Sequence, residues 1–108
     1  MQEILGDFTC REFANTLWAF ATLGKKPGDQ LMGLLEGRAE AISGEFNSDE
    51  VADTLWAYAM MGRKPGERLM GMLEGRAEAI SGEFKSQAVS RTLWAYATMR
   101  RKPEPTAR

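Results

Sequence analysis

The sequence predicts an all-α fold: an α-solenoid of stacked antiparallel helix pairs, about five helices in all plus an N-terminal half-helix. Three observations carry that reading. First, Thr-Leu-Trp-Ala-Phe at Thr16 to Phe20 returns as Thr-Leu-Trp-Ala-Tyr at Thr54 to Tyr58 and at Thr92 to Tyr96, which sets Trp18, Trp56 and Trp94 38 residues apart. Second, each period holds two blocks bounded by helix start and stop residues. Third, both blocks carry apolar residues at helical spacing, and a helix pair that cannot bury its own apolar face must stack on the next pair. At 108 residues the chain makes one domain.

In chain order, residues 1–7 align one period upstream of Ala39 to Glu45 and read as the last turns of a half-repeat. Repeat 1 covers 8–45 and repeat 2 covers 46–83, and the two agree at roughly two-thirds of their positions. The third repeat starts at Phe84 and stops halfway, so 84–108 is a half repeat with a basic tail. The first block of repeat 1, about Thr9 to Leu23, opens with Thr9 and Glu12 spaced as a capping box and closes at Gly24. Asn47, Glu50 and Gly62 repeat the pattern. The second block, about Gly28 to Ser43, follows Pro27, places Asp29 where the helix dipole favours a carboxylate, and ends at Gly44.

Counting about 100° per residue, Phe13, Ala14, Leu17, Trp18 and Ala21 fill one broad sector of the first helix. Thr16, Ala19, Phe20 and Leu23 occupy much of the other side, so this helix lies inside the stack. The second helix has a single stripe, Leu31, Leu34, Leu35, Ala39 and Ile42, and an acidic back of Asp29, Glu36 and Glu40, so it lies outside. The tryptophans are assigned chiefly to the core, with stacking on a ligand as the lesser reading. Gly33 and Gly37, which recur as Gly71 and Gly75, fit either a close backbone approach or an outer face under no pressure to be rigid; close approach is favoured. Arg38 and Arg76 fall within the apolar stripe. They are assigned a structural role, pairing with a neighbouring carboxylate such as Glu12 or Glu50 or bonding the final carbonyls of the inner helix, over direct ligand contact.

A narrow strip remains on the inner helices. It reads Arg11, Asn15, Thr22 in the first copy, Asp49, Asp53, Met60 in the second and Gln87, Arg91, Thr98 in the third, with Trp18 at its border. Constant packing beneath a variable polar strip is what a modular reader of an extended ligand requires; drift on a solvated face produces it too. The turn between helices is basic in every copy: Lys25-Lys26, Arg63-Lys64 and Arg101-Lys102. Stacking would align these pairs as a rail for a phosphate backbone, although charged turns are also common.

The 14 basic and 15 acidic residues balance, so the total charge points to no partner. Cys10 is the only cysteine and there is no histidine, which excludes a disulfide framework and the usual zinc ligand sets. Cys10 itself reads as a small first-turn residue. No cofactor or metal is expected. An enzyme is the weakest reading, because Ser43 and Ser81 have no base nearby and no glycine-rich phosphate loop occurs. No apolar run approaches the roughly 20 residues of a membrane span, and Met1 to Gly6 lacks the shape of a signal or transit peptide.

The 38-residue period, with the block from Ala14 to Gly24 and its copy from Ala52 to Gly62, resembles the octotricopeptide repeat proteins of algal organelles. More distantly it is similar to the helical repeats of the FAST-kinase-domain family. The resemblance implies a superhelix that binds single-stranded organellar RNA through its inner helices, in chloroplast or mitochondrion. Carried over by position, the RNA contacts it implies are Arg11, Asn15, Gln87 and Arg91, with Asp49 and Asp53 in the equivalent places. Two aspartates would repel a phosphate backbone, though aspartate can accept from a base edge.

At the far end, Pro103-Glu104-Pro105 departs from the repeat, and Arg100 replaces the turn glycine, which reads as a natural C-terminus. The third inner helix would then expose Val89, Leu93, Trp94 and Ala97 as an interface patch, covered by a partner or by self-association. Two functions follow. The first is a small RNA-binding solenoid; the second is a structural or adaptor subunit docked into a large organellar assembly such as a ribosome or photosynthetic complex.

Overall fold

The computed structural model describes residues 8–101. Five helices follow one another: α1 (Cys10–Leu23), α2 (Asp29–Ala41), α3 (Ser48–Met61), α4 (Glu67–Ala79) and α5 (Ser86–Arg101). Short 3₁₀ turns, Ser43–Glu45 and Ser81–Glu83, follow α2 and α4. No strand occurs among the described residues. The expected half-helix over 1–7 and the departure at Pro103 to Pro105 lie outside them.

Local chemistry sets the boundaries. Both capping boxes form: Thr9 accepts from the Glu12 amide at 3.1 Å while Glu12 accepts from the Thr9 amide, and Asn47 and Glu50 do the same. Gly24 and Gly62 close α1 and α3 at φ 73°, a left-handed conformation that glycine adopts without steric cost. One further glycine is held by its surroundings. Gly66 donates its amide to Glu36, and a Cβ there would sit 3.0 Å from the Glu36 carboxylate.

The helices form two layers, α1, α3 and α5 inside and α2 and α4 outside. The closest backbone approaches run from α1 to α3 and from α3 to α5 rather than within each pair. Small residues allow this: Ala14, Ala21, Ala52, Ala57, Ala59, Ala95 and Thr54 are all buried. Larger groups fill the space between layers, where Phe13, Leu17, Met32, Leu35, Phe46, Leu55, Leu69 and Leu73 are all but sealed from water. Phe13 meets Phe46 edge to face with ring centroids 6.0 Å apart.

Two details of this packing correct the sequence reading. In α2 the buried stripe is Met32, Leu35, Ala39 and Ile42, while Leu31 and Leu34 are exposed. The equivalent of Leu31 in α4, Leu69, is fully buried. The difference follows from stacking: α2 packs against one side of α4, whereas no described outer helix precedes α2. Gly33, Gly37, Gly71 and Gly75 are exposed, with open space where a Cβ would stand, so no close backbone approach explains them.

Arg38 and Arg76 are structural, but their partner differs from the expected ones. Arg38 Nε donates to the Phe8 carbonyl at 2.9 Å and Arg76 Nε to the Phe46 carbonyl at 2.7 Å. Those carbonyls precede the start of the inner helix, not its end, because antiparallel pairing brings the last turn of the outer helix beside the first turn of the inner one. Between repeats, the Tyr58 hydroxyl donates to Glu36 at 2.5 Å, and Tyr96 donates to Glu74 at 2.8 Å. Burial and the carboxylate acceptor both raise the Tyr58 phenol well above its ordinary range, and those same causes act on Tyr96. The Thr54 and Thr92 hydroxyls are buried without a hydrogen-bond partner among the described residues, and nothing in the structure explains why threonine recurs there.

Candidate nucleic-acid interface

The tryptophans are the main correction. Trp18 is 40% exposed and Trp94 44%, and Trp56 stands half-buried between them on the inner surface. They do not fill the core because alanine-lined helices approach too closely to admit an indole between their backbones. Displaced to the border of the strip, the rings cover one another. Trp18 and Trp56 stack with centroids 4.3 Å apart and planes 23° from parallel; Trp56 and Trp94 stand 6.0 Å apart, tilted by 31°. The repeat has built an aromatic ladder that is closed at one step and open at the other.

Beside the ladder, an ion-paired strap ties the inner helices together. Arg11 on α1 lies 3.3 Å from Asp53 and 3.6 Å from Glu50 on α3, and Arg91 on α5 reaches the other Asp53 oxygen at 2.5 Å. Asp53 is thus held between two guanidinium groups, with its side chain only 17% exposed. Of the strip residues, then, Arg11, Asp53 and Arg91 hold each other, and Asn15, Asp49 and Gln87 face solvent. The pairing also neutralises the Asp53 carboxylate, one of the two repulsive groups that sequence alone places against a phosphate backbone; the other, Asp49, is exposed.

The basic turns lie at the same end of each inner helix, about 10 Å along the axis from the tryptophan seven residues earlier. Lys25, Lys26 and Lys64 are exposed, and Arg63 is partly covered, 3.4 Å from Asp29 of the preceding repeat. That carboxylate is almost fully solvated, so the pair holds Arg63 weakly. Arg101 belongs to the last turn of α5, and Lys102 lies outside the described residues. Val89, Leu93 and Ala97 are exposed on α5, and Trp94, expected with them in one patch, is exposed at the end of the ladder beside Trp56 instead.

Where the ladder opens, an open cleft of about 340 Å³ forms between α3 and α5, lined by Trp56, Ser86, Gln87, Ser90, Arg91 and Trp94. Sequence reasoning names Gln87 and Arg91 there and misses Trp56 as a lining group. The available signal was the shared period: a tryptophan at the edge of a variable strip in every copy. No cluster of residues able to hold a metal ion occurs among the described residues. The Cys10 thiol is buried, points at the Ile42 carbonyl at 3.5 Å, and is pushed up to about 11, mainly by burial and then by Glu50 and Glu45. Such a thiol is inert at neutral pH. No described helix is long and apolar enough to cross a membrane.

Compared with known proteins, the chain matches the family model described as RNA-editing substrate-binding complex 6 protein over residues 2–104. That family differs from the octotricopeptide one which the Leu-Trp-Ala block resembles. No curated protein and no solved structure matches the chain.

Proposed function

The chain belongs to the RNA-editing substrate-binding complex 6 protein family, and from that premise we propose that it is a non-enzymatic module that binds single-stranded RNA across its inner helices. The observation that carries the reading is the exposed tryptophan ladder. Three indoles on one surface are costly to leave in water unless something covers them, and unpaired bases stack on aromatic faces whatever their sequence. The basic turns supply phosphate contacts to one side, and the strap leaves no unpaired Asp53 carboxylate to oppose them. The net charge of −1 is no obstacle, since several acidic groups lie on the outer layer, where Glu36 and Glu74 accept from tyrosines and Glu40 lies 3.7 Å from Arg68. An organellar location, chloroplast or mitochondrion, rests on the resemblance of the repeat and is tested by imaging a tagged chain in its own cell.

The test is binding of fluorescein-labelled single-stranded RNA, read by anisotropy across a salt series. The reading expects a micromolar or tighter dissociation constant and a salt slope that falls by about one for each phosphate-contacting cation neutralised among Lys25, Lys26, Arg63 and Lys64. Absence of binding at low salt overturns it. A second reading, a subunit docked into a larger assembly through its end, is favoured by the exposed Val89, Leu93 and Ala97 on α5. Concentration-dependent association of the purified chain, without RNA binding, would select it.

A further inference from the structure

We infer that the cleft between Trp56 and Trp94 is a seat for one unpaired adenine of a bound RNA strand; this rests on the RNA-binding reading above. The two steps of the ladder are unequal. Between Trp18 and Trp56 the rings touch at 4.3 Å, and a base has no room to enter. Between Trp56 and Trp94 the centroids are 6.0 Å apart and the planes splay by 31°. A base sandwiched by two rings needs about 7 Å, twice the roughly 3.4 Å spacing of stacked bases, so a shift of about 1 Å at an exposed side chain completes the slot. Trp94 is that side chain, at the surface of α5, which has one packed neighbour in its layer among the described residues.

The polar groups around the slot hold the edge of the seated base. Gln87 lies one turn from Arg91 on α5, lines the cleft and faces solvent. A carboxamide offers one donor and one acceptor side by side, the pattern that matches N6 and N7 of adenine. Unpaired uracil offers a comparable pair at N3–H and O4, so the preference for adenine comes from the larger face that a purine gives to the two indoles. Arg91 lines the same cleft and is fixed there by Asp53 at 2.5 Å, so a cation stands beside the base without having to be ordered by the ligand. Ser86 and Ser90 add hydroxyls on the same wall. The corresponding positions in the first two repeats hold Arg11 and Asp49 in place of Gln87, and Arg11 is already bound to Glu50 and Asp53. The adenine seat is therefore specific to the second step, between α3 and α5, although every copy carries the tryptophan.

The test uses the full chain with decamers of adenylate and of uridylate, one adenylate replaced by 2-aminopurine to report stacking. Replacing Trp94 by leucine is expected to weaken adenylate binding at least about tenfold, while Trp94→Phe, which keeps an aromatic face, stays within about threefold. Trp18→Leu, at the closed step, stays within about twofold. Gln87→Ala is expected to weaken both decamers by about threefold, whereas the preference for adenylate over uridylate is expected to be lost in Trp94→Leu. Quenching of 2-aminopurine should be lost in Trp94→Leu alone. If RNA binds but Trp18→Leu and Trp94→Leu weaken it equally, or not at all, the seat is overturned while the RNA reading stands. No preference for adenylate in the parent chain, or a preference that persists in Trp94→Leu, overturns the adenine assignment. If neither decamer binds, the RNA reading fails and the seat with it. Urea midpoints of each variant show whether a lost affinity is merely lost folding.

Discussion

Helices α3 and α5 carry the same pentapeptide, yet the stack treats them differently. In α3, Thr54, Leu55, Ala57 and Tyr58 are buried to within 1%. In α5, Ala95 stays buried but Leu93 is 63% exposed and Tyr96 is only half covered. Each inner helix has one face for the repeat before it and another for the repeat after it. Thr54, Ala57 and Tyr58 belong to the first face and Leu55 to the second, so among the described residues it is the second face of α5 that lacks cover. Burial here is a property of position in the stack, and the motif merely permits it. The sharpest way to break the comparison is to truncate the same leucine in both helices. Leu55→Ala should cost about 3 kcal/mol, as expected of a buried leucine, and Leu93→Ala less than about 0.5 kcal/mol, both read from urea denaturation of the full chain. Equal losses would mean that the end face of α5 is covered in solution.

The tyrosines sharpen the same contrast at lower amplitude. Tyr58 is sealed and shares Glu36 with the Gly66 amide, whereas Tyr96 meets Glu74 at a more exposed site. Removing the hydroxyl with Tyr58→Phe should therefore cost about 1–2 kcal/mol, and Tyr96→Phe about half as much, by the same denaturation experiment.

This tyrosine contact is readable in principle but the sequence reading misses it, because it sets Glu36 on the acidic back of the outer helix. The residue is Phe20 in the first copy and tyrosine in the next two, and only those two have a glutamate-bearing outer helix one repeat upstream among the described residues. Capping residues and turn glycines were readable, because their partners lie within three residues and the chemistry is local. What could not be read was anything set by the distance between inner helices. Alanine spacing announces that the backbones can approach; it does not say that they do so closely enough to expel Trp18 and Trp94 to the surface. The same limit applies to Leu31, whose apolar character put it in the stripe although no described outer helix precedes it. The candidate site suffered more than the fold. Arg11, Asp53 and Arg91 were placed on one strip correctly, but only the helix-to-helix register turns them into partners.

Cys10 adds a contrast that is read by pH, because Glu50 of the next repeat stands after burial among the causes that hold its proton. It sits on the first helix, yet it is buried against Ile42 of its own repeat, and its thiol is held at about 11 against an ordinary 9.0. The sign follows from proton binding. Between those two values the unfolded chain gives up the thiol proton and the folded chain keeps it, so the contribution is complete below pH 9 and is lost as pH rises toward 11. Cys10→Ser installs the residue that the second and third copies carry at Ser48 and Ser86. Urea midpoints of the parent chain should fall faster than those of the serine variant through that window, and the two curves should run parallel below it.

The smallest effect concerns the outer layer, where middle and end should not differ at all. Gly37 and Gly75 occupy the same position in α2 and α4, both exposed, both with open space around the missing Cβ. A glycine inside a helix costs backbone entropy that alanine does not, so Gly37→Ala and Gly75→Ala should each stabilise the chain, by about 0.5–1 kcal/mol and to the same extent. Gly62→Ala must do the opposite, because its φ of 73° is unfavourable for any residue with a Cβ. Unequal gains at 37 and 75 would show that one outer helix meets something that the other does not. If both variants are more stable yet lose a partner from the assembly, the glycines are retained for a close approach between molecules, and the outer layer is a second surface independent of the tryptophan ladder.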